Sequence, residues 1–431
     1  MTGIVEALFI AAAILLAIGV PISAAMVLAS VVAIVGFTPY SLDVIAQKFY
    51  SQSASFPLVA IPLFVLAGGI MSKGGMSSRL IKLASSLVGR VPGGMALIAV
   101  VACMFFAAIS GSTAATTAAI GSVMMPAMIA TGFSRGAATG LQCTAGSIGI
   151  IIPPSIPFIL MGVIGGMSIG DLFLGGVFPG VAMGIMLMIM AMIIAVVQKH
   201  PPSGQKVHLG NILRAFWHSI LSLLTVVLIV VAIMWGWTTP TEAAILAVVW
   251  AFVISFFVYG ELKAADLPGV LIDAVKVTGI VVLCIAATAP FGWLLTIEQI
   301  PAKVAAGMMG LSSNPVALKL MMLGILLAIG TFLDLTPALI LLVPIFQPIA
   351  VKMGMHPIQF GVVMVMALAI GQSTPPVGIS LFVACSVSKA KIGEVAVPLI
   401  PFLIALVVAL LVTTFWEPLS TWLPDTLMHS P

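Results

Sequence analysis

Long apolar runs, at 177–197, 220–235 and 396–415 among other places, constrain this chain more than any single residue does. Runs of that length match a hydrocarbon core, which needs about 20 apolar residues per helical crossing. Water would not hold them in solution. Only 6% of the 431 residues are charged, where a soluble domain carries roughly 25%. Disorder is excluded by the same composition, because it requires low hydrophobicity and high net charge. The expected fold is an all-α polytopic membrane protein with room for about ten crossings. Residues 1–20 have no basic leader and no small-residue cleavage site, so they are expected to form the first membrane helix.

The formal charge is +4, with no basic cluster interleaved with aromatics, so no nucleic-acid partner is expected. Cys103, Cys143, Cys284 and Cys385 stand singly in apolar runs, and the five histidines form no ligand pair. Neither set has metal-ligand spacing, and the cysteines suit helix packing. No phosphate-binding G-x-x-x-x-G-K-[ST] loop is present. An intramembrane aspartyl protease needs two acids at membrane depth, and only Asp334 qualifies. A Ser–His pair would have to join Ser110 or Ser112 to His218, which the charge pattern puts near a membrane face. No enzyme and no organic cofactor are expected.

Lys and Arg accumulate on the cytoplasmic side of short loops. Residues 72–93 hold Lys73, Arg79, Lys82 and Arg90 without an acid, and 199–214 hold Lys199, Lys206 and Arg214 likewise. Both stretches are assigned to the cytoplasm. Lys389 and Lys391, accompanied by Glu394, point the same way more weakly. In 294–315 Glu298 offsets Lys303, which suits the outer face. Spans near 216–237, 240–259 and 270–295 carry the chain from inside to outside. One span near 359–385, preceded by a hairpin that enters and leaves on one face, brings it back.

A shift of 222 positions superposes Pro126 on Pro348, Gly132 on Gly354, Gly149 on Gly371 and Pro153-Pro154 on Pro375-Pro376. The basic stretch 72–93 then falls on the neutral stretch 294–315, so equivalent parts lie on opposite sides. That pattern is an inverted-topology repeat, a construction common among secondary transporters. Each half has an apolar arm (93–109; 315–330), a polar tip, and a second arm (115–131; 337–353). A helix follows (134–148; 359–370), broken at Gly-x-x-x-Pro-Pro and resumed at 155–168 or 377–385. The tips are Ser110-Gly111-Ser112-Thr113 and Thr331-Phe332-Leu333-Asp334-Leu335-Thr336-Pro337. Irregular backbone of this kind survives in a bilayer only where protein or a water-filled cavity covers it.

Two adjacent prolines remove two N–H donors and stop the helix. Carbonyls at 149–152 and 371–374 are therefore expected to lack helical partners. With a side-chain oxygen from a facing tip, they would make a cage for a hard cation such as sodium. The half-helices that restart after Pro154 and Pro376 turn positive ends the other way, where an anion is favoured. Asp334 is the one charge in 328–339, and an acid at membrane depth costs roughly 3 kcal/mol or more. Such residues mark ion or proton pathways. Glu242, in Thr239-Pro240-Thr241-Glu242, is expected to cap a helix start, and Asp171 to do the same after Ser168. The 26 methionines read as adaptable packing.

These residues resemble, over almost the whole chain, the large membrane subunit of TRAP (tripartite ATP-independent periplasmic) transporters. The resemblance rests on Ser110-Gly111-Ser112 with Ala114-Ala115-Thr116, on Ile151-Ile152-Pro153-Pro154-Ser155, and on Asp171-Leu172-Phe173 with Gly176 and Pro179-Gly180. Thr239-Pro240-Thr241-Glu242-Ala243-Ala244 and Thr374-Pro375-Pro376-Val377-Gly378 complete it. It implies an inverted-repeat, elevator-type sodium symporter of the bacterial inner membrane. Its implied partners are a small four-helix membrane subunit (Q type) and a periplasmic solute-binding protein (P type) that delivers an organic anion. Carried over residue by residue, the first sodium site is Ser110 and Ser112 with backbone at Gly149, Ile152 and Pro154. The second is Asp334, Thr336, Gly371, Thr374 and Pro376. Some relatives carry Asn where this chain has Ser112. Substrate is expected between the tips, near Ser112, Thr113, Ser155 and Thr336.

The chain divides accordingly. Residues 1–92 are scaffold helices and a cytoplasmic basic arm, and 93–170 are the first hairpin and broken helix. Residues 171–292 are scaffold helices with a cytoplasmic loop near 199–214, 293–386 are the second hairpin and broken helix, and 387–431 are a C-terminal scaffold helix and tail. The expected activity is sodium-coupled symport of an organic acid; proton coupling through Asp334 is the alternative, and a membrane channel a more remote one.

Overall fold

The computed structural model describes residues 3–203, 208–312, 314–375 and 378–428. The chain is almost entirely helical. Among the described residues, strand pairing is confined to a two-residue antiparallel pair, Val91–Pro92 with Pro202–Ser203. Among the described residues, eight helices are long and apolar enough to cross a membrane, and the other apolar helices run 10–17 residues. The N-terminal segment is shorter than expected: Gly3–Ala17 turns back into Ile22–Phe37, and the two helices pack on each other.

Both predicted hairpins form. Hairpin 1 is Gly94–Ser110 and Thr113–Ala130; hairpin 2 is Pro315–Gly330 and Leu335–Lys352. Broken helix 1 runs Arg135–Gly146, passes through the 3₁₀ turn Ser147–Ile150, and restarts as Ile156–Gly165. Broken helix 2 runs Pro357–Gly371 and restarts as Ile379–Ser388. The second arms start at Thr113 and Leu335, and the broken helices at Arg135 and Pro357, each pair 222 positions apart. Caps explain where segments begin in the first half. Ser112, Ser134, Ser155 and Ser168 each accept a backbone N–H three residues on, satisfying one of the donors a helix start leaves open.

The two halves interlock. The restarted half-helix Ile379–Ser388 packs on the second arm of hairpin 1, and Ile156–Gly165 packs on the second arm of hairpin 2. Gln347 Nε2 holds the latter contact by donating to the Gly165 carbonyl at 2.8 Å. The breaks meet at a buried polar knot: Ser380 Oγ donates to the Cys143 carbonyl at 3.2 Å and lies 3.4 Å from Thr117 Oγ1.

The long helices Ile169–Val197 and Ile392–Phe415 pack on each other and on the broken helices. They fall in the segments 171–292 and 387–431 expected to be scaffold, and they lie directly against the broken helices. Gly136 and Gly140 make the contact possible. Gly136 abuts the Glu394 carbonyl, and a Cβ at Gly140 would lie 3.1 Å from Leu399 Cα. Small residues four apart allow this backbone-level approach. On the opposite flank stands Leu267–Ile297, of 31 residues, about 46 Å at the α-helical rise. It packs on Ile22–Phe37, Asp43–Ser53, Ala60–Lys73 and the second arm of hairpin 2.

Contacts also bring the basic stretches together. Val91 pairs with Ser203, the Phe133 and His200 rings stand 4.5 Å apart, and Gly136 touches Glu394. Residues 88–93, 131–136, 198–203 and 389–394 thus share one end of the molecule, as the charge pattern requires.

Candidate functional site

Oxygen atoms crowd the first tip. Ser110 Oγ and Thr116 Oγ1 lie 2.6 Å apart, and the Ser112 carbonyl accepts from Thr116 Oγ1 at 2.9 Å and from Ser110 Oγ at 3.3 Å. Broken helix 1 closes on this cluster. A Cβ at Gly149 would lie 2.5 Å from Thr116 Oγ1 and 3.0 Å from the Ser112 carbonyl, so only a glycine brings that backbone so near. Gly111, at φ +57°, seats the tip against the Pro154 carbonyl. The carbonyls of Gly149, Ile151 and Ile152 accept no hydrogen bond among the described residues. The Ile150 carbonyl is a correction to the expected set: the Ser155 hydroxyl donates to it at 2.5 Å. Ser110, Ser112, Gly149 and Pro154 are thus brought together, whereas Ile152 packs its side chain on Gly180. Thr116 belongs with them, and its place one turn after Ser112 is the signal that would have found it.

The second tip is built differently. The repeat puts Phe332 where the first half has Ser110, Asp334 where it has Ser112, and Ala338 where it has Thr116. Three hydroxyls give way to one carboxylate. Asp334 stands at a helix start but does not cap it with its side chain; its Oδ1 instead accepts from Gln372 Nε2 at 2.6 Å. Gln372 is a residue sequence reasoning missed, although an amide next to a predicted break was a usable signal.

The second break is also better satisfied than expected. The Gly371 carbonyl accepts the Thr374 N–H at 2.8 Å, and the Gln372 carbonyl accepts the Ser380 N–H at 3.1 Å. The chain turns tightly after the helix end, and these N–H groups fold back over it. Thr374 Oγ1 donates to the Ile370 carbonyl at 2.8 Å, and Gly371 packs on the backbone of Gly330. Asp334, Thr336, Gly371 and Thr374 cluster around this turn; Pro376 lies outside the described residues.

A cavity of about 250 Å³ separates the tips, lined by Ser112, Thr113, Asp334, Thr336, Gln372 and Ser380 among others. Four helices begin at its wall: Thr113–Ala130, Ile156–Gly165, Leu335–Lys352 and Ile379–Ser388. A helix start carries open N–H donors and a partial positive charge of about half an electron. The sequence had identified only the two restarts. Thr113 Oγ1 is buried in this wall without a partner among the described residues. Ser155 is not in the wall. It is fully buried, with its hydroxyl spent on Ile150 and on capping Phe158.

Behind the first tip a second cavity of about 300 Å³ shares Ser112, Ile156 and Val277 with the first and reaches Ser72, Lys73 and Asp273. Away from the tips, Glu242 forms the expected capping box with Thr239. At 168–171 Ser168 is the cap, and Asp171 sits buried in the first helical turn.

Comparison with known proteins places this arrangement. The isethionate TRAP transporter permease protein DctMQ of Oleidesulfovibrio alaskensis is 39% identical over 94% of this chain and 64% of its own length. This chain therefore spans less than two thirds of that relative. The C4-dicarboxylate TRAP transporter large permease protein DctM of Pseudomonas aeruginosa is 38% identical over 91% of each chain. The 2,3-diketo-L-gulonate TRAP transporter large permease protein YiaN of Escherichia coli is 36% identical over 93% of this chain and 94% of its own. In fold, the chain resembles the YdaH transporter of Alcanivorax borkumensis, at a TM-score of 0.60, 13% identity, and coverage of 91% and 92%. The family described as tripartite ATP-independent periplasmic transporter, DctM component, matches residues 9–419. The chain is a multi-pass transporter subunit and not an enzyme, and it belongs to the DctM family of TRAP transporter permeases.

Proposed function

We propose that this permease is a sodium-coupled symporter of a small organic anion in the bacterial inner membrane. The observation that carries the proposal is the convergence of four helix starts, two hydroxyl-bearing tips and Asp334 on one cavity. Four partial positive charges favour an anion, and the oxygen clusters on either side suit a hard cation. The cavity, at about 250 Å³, is smaller than the roughly 300–1,000 Å³ of drug-sized sites, which suits a small solute. Relatives named for isethionate, C4-dicarboxylates and 2,3-diketo-L-gulonate support an organic acid.

In this reading sodium binds first at Ser110, Ser112, Thr116 and the Gly149–Ile152 backbone, and at Asp334 with Thr336, Gly371 and Thr374. Each ion ties a tip to a break and sets the N–H donors around the anion. The hairpins and broken helices, together with Ile169–Val197 and Ile392–Phe415, then travel as one elevator unit past the remaining helices. The second cavity offers release toward the Lys73 end. A periplasmic binding protein delivers the anion, and a small four-helix subunit stands beside the scaffold.

The test is uptake by proteoliposomes that hold the chain with its two partner proteins, using organic acids of these classes. Accumulation should require an inward sodium gradient and stay constant when pH varies at fixed sodium. Uptake that ignores sodium and follows a proton gradient would replace this reading with proton coupling through Asp334. Single-channel conductance would replace it with a channel.

A further inference from the structure

Away from the transport unit, a cavity of about 350 Å³ lies between the helix Met76–Leu87 and the start of Leu209–Met234. Arg79, Lys82 and Arg214 line it, against one carboxylate, Glu261. That carboxylate is already engaged, since Arg79 Nη1 meets Glu261 Oε1 at 2.6 Å. Arg79 also donates to the Gly75 carbonyl at 2.9 Å and stacks 3.6 Å over the Tyr259 ring. Lys82 and Arg214 have no ion-pair partner among the described residues. Two positive charges and the Asn211 amide are left facing the cavity. The walls are fixed to each other, because Ser219 Oγ donates to the Arg79 carbonyl at 3.0 Å.

The surroundings select the anion. On Leu209–Met234, residues 211, 214, 215 and 218 recur at helical spacing along the cavity. The neighbouring stripe is apolar and open: Leu213 is 50% exposed, Phe216 40% and Trp217 66%. Trp at such a position marks the membrane–water interface. A free inorganic anion would use the cations and leave the stripe bare. A lipid uses both. We propose that this cavity binds the phosphodiester headgroup of an anionic phospholipid of the cytoplasmic leaflet, with its acyl chains along Leu213, Phe216 and Trp217. Arg and Lys donors suit phosphate oxygens, and basic pockets between membrane helices on this side are built for such headgroups.

Native mass spectrometry of the full-length chain, titrated with phosphatidylglycerol or phosphatidylcholine, tests the proposal. Phosphatidylglycerol should be retained preferentially. Lys82→Gln and Arg214→Gln should each weaken its binding by about fivefold, the contribution of one basic side chain near an anionic surface. The double variant should compound the losses, and Arg90→Gln, outside the cavity, should change nothing. Both substituted side chains are exposed and free of ion pairs, and a monodisperse elution profile confirms that each variant is folded. Equal retention of the two lipids, or wild-type phosphatidylglycerol binding by the double variant, would overturn the site. Saturable binding of inorganic phosphate that phosphatidylglycerol does not displace would overturn the lipid as its source.

Discussion

Ser112 and Asp334 stand at equivalent positions, each just before the second arm of its hairpin, and use their oxygens differently. Ser112 Oγ accepts the Ala115 N–H and its carbonyl collects two hydroxyls. Asp334 leaves its helix uncapped and takes the Gln372 amide. The first oxygen cluster is therefore rich in hydroxyls, and the second is built around an acid. Asp334→Asn should raise the sodium concentration for half-maximal uptake by about tenfold or more, since contacts to a charged group are worth roughly 1.5–3 kcal/mol. The folded fraction, read by size-exclusion chromatography, should not change. Thr116→Val keeps the side-chain shape and removes one oxygen of the first cage. It should weaken sodium affinity by about fivefold, the worth of a single hydrogen-bond-scale contact near 1 kcal/mol. Asp334 was legible in the sequence because an acid in an apolar run announces itself. Thr116 and Gln372 carried weaker signals, a hydroxyl one turn after Ser112 and an amide next to a break, and neither stands out until folding brings it against a tip.

At the scale of elements, the two breaks were legible because two adjacent prolines remove two N–H donors and, recurring in register after each tip, mark the same interruption in both halves. Their local satisfaction was not: whether the Thr374 and Ser380 N–H groups fold back depends on turn geometry. Which neighbours the long helices Ile169–Val197 and Ile392–Phe415 take was not legible, for a plain reason. Both are apolar around their whole circumference, so no polar face announces which neighbour each takes. Gly136 and Gly140 decide it by letting Ile392–Phe415 reach the backbone of broken helix 1. Gly140→Leu should overpack that contact and destabilise the protein by about 1–3 kcal/mol, seen as a lower thermal unfolding midpoint in detergent. An unchanged midpoint would mean that the two helices can separate without loss.

For the molecule as a whole, the inverted halves were legible in the opposed charge bias of 72–93 and 294–315, and the interlocking of each half-helix with the other half's hairpin was not. That interlock makes the two cavities properties of one unit. The unit meets the rest of the protein at close quarters where Ala60–Lys73 crosses the first tip, since a Cβ at Gly68 would lie 3.2 Å from the Ile109 carbonyl. Gly68→Leu should jam that contact, abolishing uptake while leaving sodium affinity intact. Equilibrium binding of radioactive sodium to the purified chain tests the cages most directly. The account predicts two saturable ions per chain, the affinity for one falling about tenfold or more in Asp334→Asn and for the other in the double variant Ser112→Ala, Thr116→Val. No saturable sodium, or two ions bound with unchanged affinity by both variants, would contradict it.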